Sequence, residues 1–309
     1  MPMKPKFDPA AAITNELIAI IERGTLPWRR PWRVPGAASP LRHTGAPYQG
    51  VNNFLLTMHT IIAGYTSPFW MTMRQANDLG ARIRKGEKSS IVIYYGTSYK
   101  DADAVKERDD DPHGDDTDGR KAIKFMKSYR VFNACQIEGL PERFHPEIDD
   151  CDTDTGPEPI PHMQAFFDAL GADIVISGRK AKYVPALDRI YVPPMETFER
   201  AEHFFAVLGH EAAHWTRAKH RLNRSFGDTR FGNTAYAREE IVAELASVFL
   251  GQHLGYAPFQ METSAAYLEV WLTVLRSDAR AIFAHAGDAQ RACDYLIATA
   301  AREACDVAA

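Results

Sequence analysis

The chain is poor in cysteine and has no long apolar run. Its 309 residues include 4 cysteines, Cys135, Cys151, Cys293 and Cys305, widely spaced and with no CxxC pair among them. That pattern excludes a cysteine-built zinc ribbon and a disulfide framework, and it fits a reducing compartment. No apolar stretch approaches the ~20 residues that a membrane-spanning helix needs. The opening segment, MPMKPKFDPA, has no apolar signal-peptide core, so the expected location is the cytoplasm, with no membrane partner. Helix-turn-helix, zinc-finger and RNP signatures are missing as well, which leaves no element for base-specific readout. There is no internal repeat, so a solenoid or propeller is excluded.

A hydrophobic content of 45% over 309 residues is enough for two ordinary domains. The net charge of −4 conceals a strong segregation. Residues 1–100 carry 13 Lys/Arg against 5 Asp/Glu, residues 101–160 carry 8 against 17, and the remainder 15 against 18. A basic front part that binds a polyanion, followed by an acidic insertion and linker, accounts for this distribution.

Hydrophobic periodicity gives the elements. Asp8-Pro9 starts a helix whose apolar stripe is Ile13, Leu17, Ile20 and Ile21. A second helix spans Val51 to Ile62, and Thr72 caps a short third one that stops at Gly80. Ile83, Ile91 to Tyr95 and Phe125 to Val131 read as strands. The polar tract at about 101–120, with Asp109-Asp110-Asp111, lacks any apolar period and reads as a mobile hairpin tip. Residues 146–161, rich in Pro, Asp and Thr, read as a linker. Beyond it come a helix from Met163 to Leu170 and short strands at Ile174–Ile176, Lys182–Val184 and Arg189–Val192. Four helical stretches follow, the first with a stripe of Phe198, Ala201, Phe205, Leu208, Ala212 and Trp215. The others lie near 237–253, 266–277 and 288–300. Strands first and helices after argue for an α+β fold in two domains, 1–145 and 162–309.

The chemistry concentrates in His210-Glu211-Ala212-Ala213-His214. On a helix the two imidazoles lie one turn apart on one face, where both can ligate one ion. Glu211 projects beside that ion, placed to take a proton from a water held there. Catalytic zinc uses three protein ligands, so a third must come from elsewhere. The next helix offers Glu239, Glu240 and Glu244. Glu240 and Glu244 are one turn apart in an ExxAE arrangement that resembles the ExxAD element of zinc metallopeptidases. On that pattern Glu240 is the ligand and Glu244 steadies an imidazole from behind. Glu239, about 100° round the helix, is the alternative ligand. Zinc is the expected ion, with another divalent metal as the alternative. His220, Tyr236 and Tyr191 are equal candidates to stabilise an oxyanion.

A second constellation lies near the N-terminus. Trp28 and Trp32 alternate with Arg29, Arg30 and Arg33 in a segment that its prolines keep out of regular helix. Single-stranded nucleic acid is held by cationic grooves with aromatic rings on which bases stack, at about 1–3 kcal/mol per stacked base. Arg42, Tyr48, Asn52, Asn53, Arg74, Arg82, Arg84, Lys85 and Lys88 extend this candidate groove. The partner so read is a single-stranded nucleic acid, bound with little regard to sequence.

Residues 13–144 resemble the N-terminal domain of the ArdC-type antirestriction proteins of plasmids and phages. The resemblance rests on Leu26-Pro27-Trp28 with Pro31-Trp32, on the run Thr44 to Asn52, on Trp70-Met71-Thr72 with Arg74-Gln75-Ala76, on Lys85 to Lys88, and on Val131-Phe132-Asn133 through Gln136 to Pro141. Residues 188–256 look like that family's zincin-like metallopeptidase domain. Here the matching blocks are Asp188-Arg189-Ile190 with Pro193-Pro194, His210 to Thr216, Arg221 to Arg224, and Tyr236 to Glu240 through Ala243-Glu244-Leu245. Arg217 departs from the pattern, standing where the family usually has glycine. The resemblance implies a single-stranded-DNA-binding domain followed by a zincin-like metal-binding domain, together protecting incoming plasmid or phage DNA from restriction. Two other uses stay open at this level. One is a working zinc metalloprotease acting on DNA-bound proteins or restriction-enzyme subunits; the other is an accessory factor for replication or conjugative transfer.

Overall fold

The computed structural model describes residues 8–22, 39–99, 122–146, 160–227, 234–256 and 265–307. The first helix, α1 (Pro9–Glu22), buries the anticipated stripe of Ile13, Leu17, Ile20 and Ile21. It starts where the Asp8 carboxylate accepts from the Ala10 N–H at 2.9 Å, and Pro9 fits the first turn because its missing N–H would have had no partner there. α2 (Gly50–Ala63) ends at Gly64 with φ 67°, a left-handed conformation that glycine adopts without steric cost. α3 (Met73–Asp78) opens with a reciprocal box between Thr72 and Gln75, each side chain satisfying the other residue's free backbone N–H.

The strands of this half are β1 (Leu41–Arg42), β2 (Phe69–Thr72), β3 (Arg82–Ile83), β4 (Ser90–Tyr99), β5 (Ala122–Asn133) and β6 (Ile137–Glu138). Four form one sheet in the order β1-β2-β5-β4, while β3 and β6 pair separately. β4 and β5 make a long antiparallel hairpin whose ladder runs from Ser90–Val131 to Tyr99–Ala122. It outruns the strands anticipated at 91–95 and 125–131, because Gly96, Thr97 and Ser98 dilute the alternation that marks a strand. The acidic tract at 101–120 and most of the linker, 147–159, lie outside the described residues. β4 is an edge strand, and Asn52 on α2 closes part of it. Its Nδ2 donates to the Ile93 carbonyl at 2.7 Å and its Oδ1 accepts from the Ile93 N–H at 2.9 Å, which blunts an exposed ladder.

The second half runs α4 (Pro161–Asp168), β7 (Asp173–Ile176), β8 (Lys182–Val184), β9 (Arg189–Val192), α5 (Ala201–Trp215), α6 (Thr234–Leu254), α7 (Ala265–Ser277) and α8 (Ala281–Val307). Its sheet has the order β7-β9-β8, parallel between β7 and β9 and antiparallel between β8 and β9. α8 is much longer than the stretch near 288–300 read from the sequence. Its true start lies beyond Gly287, where the Asp278 carboxylate accepts from the Arg280 N–H at 2.8 Å. Residues 241–251 of α6 are all buried, so this helix is enclosed on every side and turns no face to solvent in that stretch. No described helix is long and apolar enough to cross a membrane.

One apolar cluster includes Ile13 and Leu17 of α1, Phe54 and Leu55 of α2, Ile241 and Leu245 of α6, Trp271 of α7 and Ile282 of α8. The halves expected as 1–145 and 162–309 are therefore not separated by a gap in packing. α1 lies on α7 and α2 on α8. Polar ties cross the same seam: Thr14 Oγ1 donates to the Ala279 carbonyl at 2.6 Å, the Gly50 N–H to Gln290 Oε1 at 3.1 Å, and Asn53 Nδ2 to Gln252 Oε1 at 3.0 Å.

α5 and α6 approach closely around Tyr256. A Cβ on Gly209 would meet the Tyr256 hydroxyl at 2.4 Å, and one on Gly251 would meet the Tyr256 carbonyl at 2.7 Å. Gly209 immediately precedes His210, so this contact sets the distance between the helices that carry the site. Gly209→Ala is expected to overpack it and destabilise the protein by about 1–3 kcal/mol, read by thermal unfolding; an unchanged midpoint would show that Tyr256 moves aside freely.

Candidate metal centre

α5 and α6 bring three donor groups together. The Nε2 atoms of His210 and His214 lie 3.2 Å apart. Glu240 reaches both, with Oε2 at 3.5 Å from His210 Nε2 and Oε1 at 3.5 Å from His214 Nε2. All three ligand atoms lie within 4.8 Å of one another, the one such donor group among the described residues. The helical spacing explains the geometry: i and i+4 on α5 stack the two rings with centroids 4.8 Å apart, and the facing turn of α6 presents Glu240. The three side chains are 16%, 12% and 14% exposed, so the site is largely enclosed but open to one side.

These residues fit a divalent ion. Two nitrogens held by one tetrahedral zinc at 2.0–2.1 Å sit about 3.3 Å apart, close to the observed 3.2 Å separation. The two Nε2 atoms and the Glu240 carboxylate converge on one point, an arrangement that a shared cation explains.

The remaining ring nitrogens are held from behind by carboxylates. His210 Nδ1 is 3.5 Å from Glu244 Oε2. His214 Nδ1 is 3.2 Å from Glu239 Oε1. Both Nε2 atoms are thereby turned toward the common point. Glu239 is itself clamped by Arg224, whose Nε donates to Oε2 at 3.0 Å and whose Nη2 donates to Oε1 at 2.8 Å. The same guanidinium donates to Thr216 Oγ1 at 3.1 Å and to the Ala213 carbonyl at 2.9 Å, and so ties down the last turn of α5. Glu239 and Arg224 are both buried. The sequence offered Glu239 as an alternative ligand; in the fold it faces the back of His214. Nothing in the spacing could reveal its partner, because Arg224 sits in the irregular segment between the helices.

The electrostatics follow from this crowding. Burial pulls His210 down, but its contacts with Glu240 and Glu244 leave it raised well above the usual histidine value. Burial likewise pulls His214 down, and Glu240 and Glu239 lift it to about 9. Burial would raise the two carboxylates, yet His214 and Arg224 hold Glu239 at about 2, and the two imidazoles hold Glu240 well below the usual carboxylate range. Acidic groups on every side favour positive charge at the centre, which suits a dication. Glu211 is buried beside His210.

A neighbouring cluster fixes the far end of α5. Arg221 donates from Nη1 to Asp188 Oδ2 at 3.0 Å and from Nε to the Trp215 carbonyl at 2.9 Å. Its guanidinium lies 3.7 Å from the Trp215 ring centre, while the Tyr183 hydroxyl donates to Asp188 Oδ1 at 2.9 Å. This links the β8–β9 turn to the helix end and gives Arg221 and Arg224 separate jobs. His220 faces Asp188 at 3.3 Å, and the Lys182 ammonium lies 5.5 Å from the ring centre of Tyr191.

The residues read as a nucleic-acid groove fare differently from one another. Trp28, Arg29, Arg30, Trp32 and Arg33 lie outside the described residues. Arg74, Lys85 and Lys88 are exposed. Arg82 is paired with Glu138 at 3.0 Å and Arg84 with Glu87 at 2.9 Å. Tyr48 is buried, with the Arg42 guanidinium 5.4 Å from its ring centre, and burial pushes its hydroxyl up to about 12. Asn52 holds the β4 edge and Asn53 bridges to Gln252, so these two serve the frame of the protein. Cys135 and Cys293 are free thiols, away from the donor group.

Glu244→Gln keeps the shape of the carboxylate that faces His210 but removes its charge. It is expected to weaken metal affinity by about 10- to 100-fold, measured by competition with a chromogenic chelator. An unchanged affinity would mean that Glu244 does not orient the ring.

Comparison with known proteins places these features in context. Residues 7–132 match the family described as the N-terminal domain of anti-restriction factor ArdC, and residues 161–288 match the zincin-like metallopeptidase family. The crystal structure of the antirestriction protein ArdC from plasmid R388, in metal-free form, superposes with a TM-score of 0.77 at 41% identity, covering 96% of this chain and 99% of that one. Its Mn(II)-bound form gives a TM-score of 0.75 at 40% identity, with the same coverage. The uncharacterized protein y4eC of Sinorhizobium fredii is 35% identical over 92% of this chain and 90% of its own length. A DNA primase TraC of Escherichia coli is 34% identical over 93% of this chain, which spans 27% of that much longer protein.

Proposed function

The chain belongs to the ArdC antirestriction family and carries its zincin-like domain, and from that premise we propose that it binds incoming single-stranded DNA and shields it from restriction. The observation that carries this reading is the likeness to the R388 protein along nearly the whole of both chains. The surplus of cations in residues 1–100 supports it, as do the exposed side chains of Arg74, Lys85 and Lys88. Cations that neutralise phosphates release condensed counterions, so binding of this kind falls steeply with salt and ignores sequence. Trp28 and Trp32, flanked by Arg29, Arg30 and Arg33, supply stacking in this reading, and Arg42 adds a charge from β1. The cytoplasm, where a transferred strand meets restriction enzymes, is the matching location.

In the same reading His210, His214 and Glu240 hold a divalent ion, with zinc as the resident metal. The donor chemistry supports zinc, and the Mn(II)-bound form of the R388 protein supports divalency. When bound, the ion supplies Lewis acidity and a fixed positive charge. Glu244 and Glu239 hold the Nδ1 atoms of His210 and His214, which fixes both rings. Glu211 accepts a proton at its carboxylate and can return it to a leaving amine. That capacity favours a second reading, hydrolysis of restriction subunits or other DNA-bound proteins. The likeness to part of a DNA primase favours a third, an accessory role in replication or transfer.

Glu211→Gln separates the first two. Under the shielding reading it leaves single-strand binding and protection of transferred DNA intact, measured by transfer efficiency into a restricting host. Loss of protection by a folded, metal-loaded Glu211→Gln protein would overturn shielding in favour of hydrolysis.

A further inference from the structure

The β4–β5 hairpin carries a concentration of aromatic and cationic side chains that the sequence pattern does not announce. Its register pairs Val92 with Tyr129, Tyr94 with Lys127, and Gly96 with Phe125. Cross-strand partners share a face, as do residues two apart along a strand. Tyr94, Phe125, Lys127 and Tyr129 therefore stand on one face, in the direction of the hairpin tip. Val92 and Val131 on that face are buried in a cluster with Leu56 and Trp70. The cover ends where Tyr129 begins, at 42% exposure.

The geometry beyond that point is specific. The Tyr94 and Phe125 ring centres are 6.3 Å apart, and the Lys127 ammonium lies 5.0 Å from the Phe125 centre. Gly96 makes the arrangement possible, since a Cβ there would come within 2.3 Å of the Phe125 ring. Any larger residue would lift that ring off the strand.

We propose that this face is a stacking platform for the bases of single-stranded DNA, with Lys127 meeting a phosphate. The proposal rests on the single-strand reading above and assigns it residues of its own. Every base has a π-face, so the exposed Tyr129 ring, beside the half-buried rings of Tyr94 and Phe125, binds a strand without regard to sequence. The ammonium among the rings supplies charge complementary to the phosphate, which an apolar protein partner would leave unpaired.

The test is a fluorescence-anisotropy titration of the full chain with a labelled oligothymidylate, using the wild type, Y129L, Y129F and K127E. Y129L is expected to weaken binding by about 5- to 150-fold. Y129F should match the wild type, because stacking needs the ring and not the hydroxyl. K127E should weaken binding at low salt and flatten its salt dependence; being exposed, it tests the platform even if Y129L fails to fold. Wild-type affinity in both Y129L and K127E would overturn the platform and leave the single-strand reading standing. A loss in Y129F as large as that in Y129L would also overturn it. Failure of the wild type to bind the oligonucleotide would overturn both.

Discussion

Arg224→Ala is expected to destabilise the protein by about 3–5 kcal/mol, because it removes the bidentate partner of the Glu239 carboxylate and leaves that buried group facing the His214 imidazole alone. The pair is bidentate, at 3.0 and 2.8 Å, and both partners are buried. Two further donors of the same guanidinium hold Thr216 and the Ala213 carbonyl, so the end of α5 loosens as well. A loss of that size lowers the thermal midpoint by on the order of 10 °C in a chain this long. Chemical denaturation of R224A, E239L and the double variant R224M/E239L checks it. Removing both charges together should cost much less than removing either alone, since no unpaired ion is left behind. A loss below about 1 kcal/mol in R224A would show that water reaches Glu239 and that the pair behaves like a surface one.

Glu240→Ala is expected to abolish tight metal binding. It removes one of three donors, whereas Glu244→Gln and Glu239→Gln leave the donor set whole and cost about 10- to 100-fold each. The readout is metal content after dialysis against a weak chelator, paired with thermal unfolding. A ligand present at about a thousand times its dissociation constant stabilises the native state by ~4 kcal/mol. The wild type should therefore melt lower when stripped of metal, and E240A should melt at one temperature with or without it. Full metal content in E240A together with none in E239Q would transfer the ligand role to Glu239.

The donor pattern of the candidate metal centre is legible in the sequence because a helix converts spacing into direction. His214 lies four positions after His210, and Glu244 four after Glu240, so each pair shares a face whatever the tertiary fold. Glu239 was not legible in the same way. Its role depends on Arg224, which lies 15 residues earlier in an irregular turn, and periodicity says nothing about where such a turn points. The apolar stripe of α1 and the box at Thr72 and Gln75 were readable, since local hydrogen bonding fixes both. The start of α8 is obscured in the sequence, because Gly287 and Asp288 resemble a boundary while the actual cap is Asp278. Charge segregation marks a basic front part and an acidic linker, while apolar contacts between residues hundreds apart, such as those joining α1 to α7, leave no trace in local composition. The aromatic face of the hairpin stayed hidden because it depends on register: Tyr94 and Lys127 become neighbours only once β4 and β5 are aligned.

The way α1 and α2 close over α7 and α8 bears on heredity. Recombination that cut the gene between the halves would leave each protein piece with a raw oily flank, including Ile13 and Leu17 on one side and Trp271 and Ile282 on the other. Such orphans would clump or be degraded before selection could favour them. The two halves are thus bound to travel as a single cassette, and a change in one must be tolerated by the other.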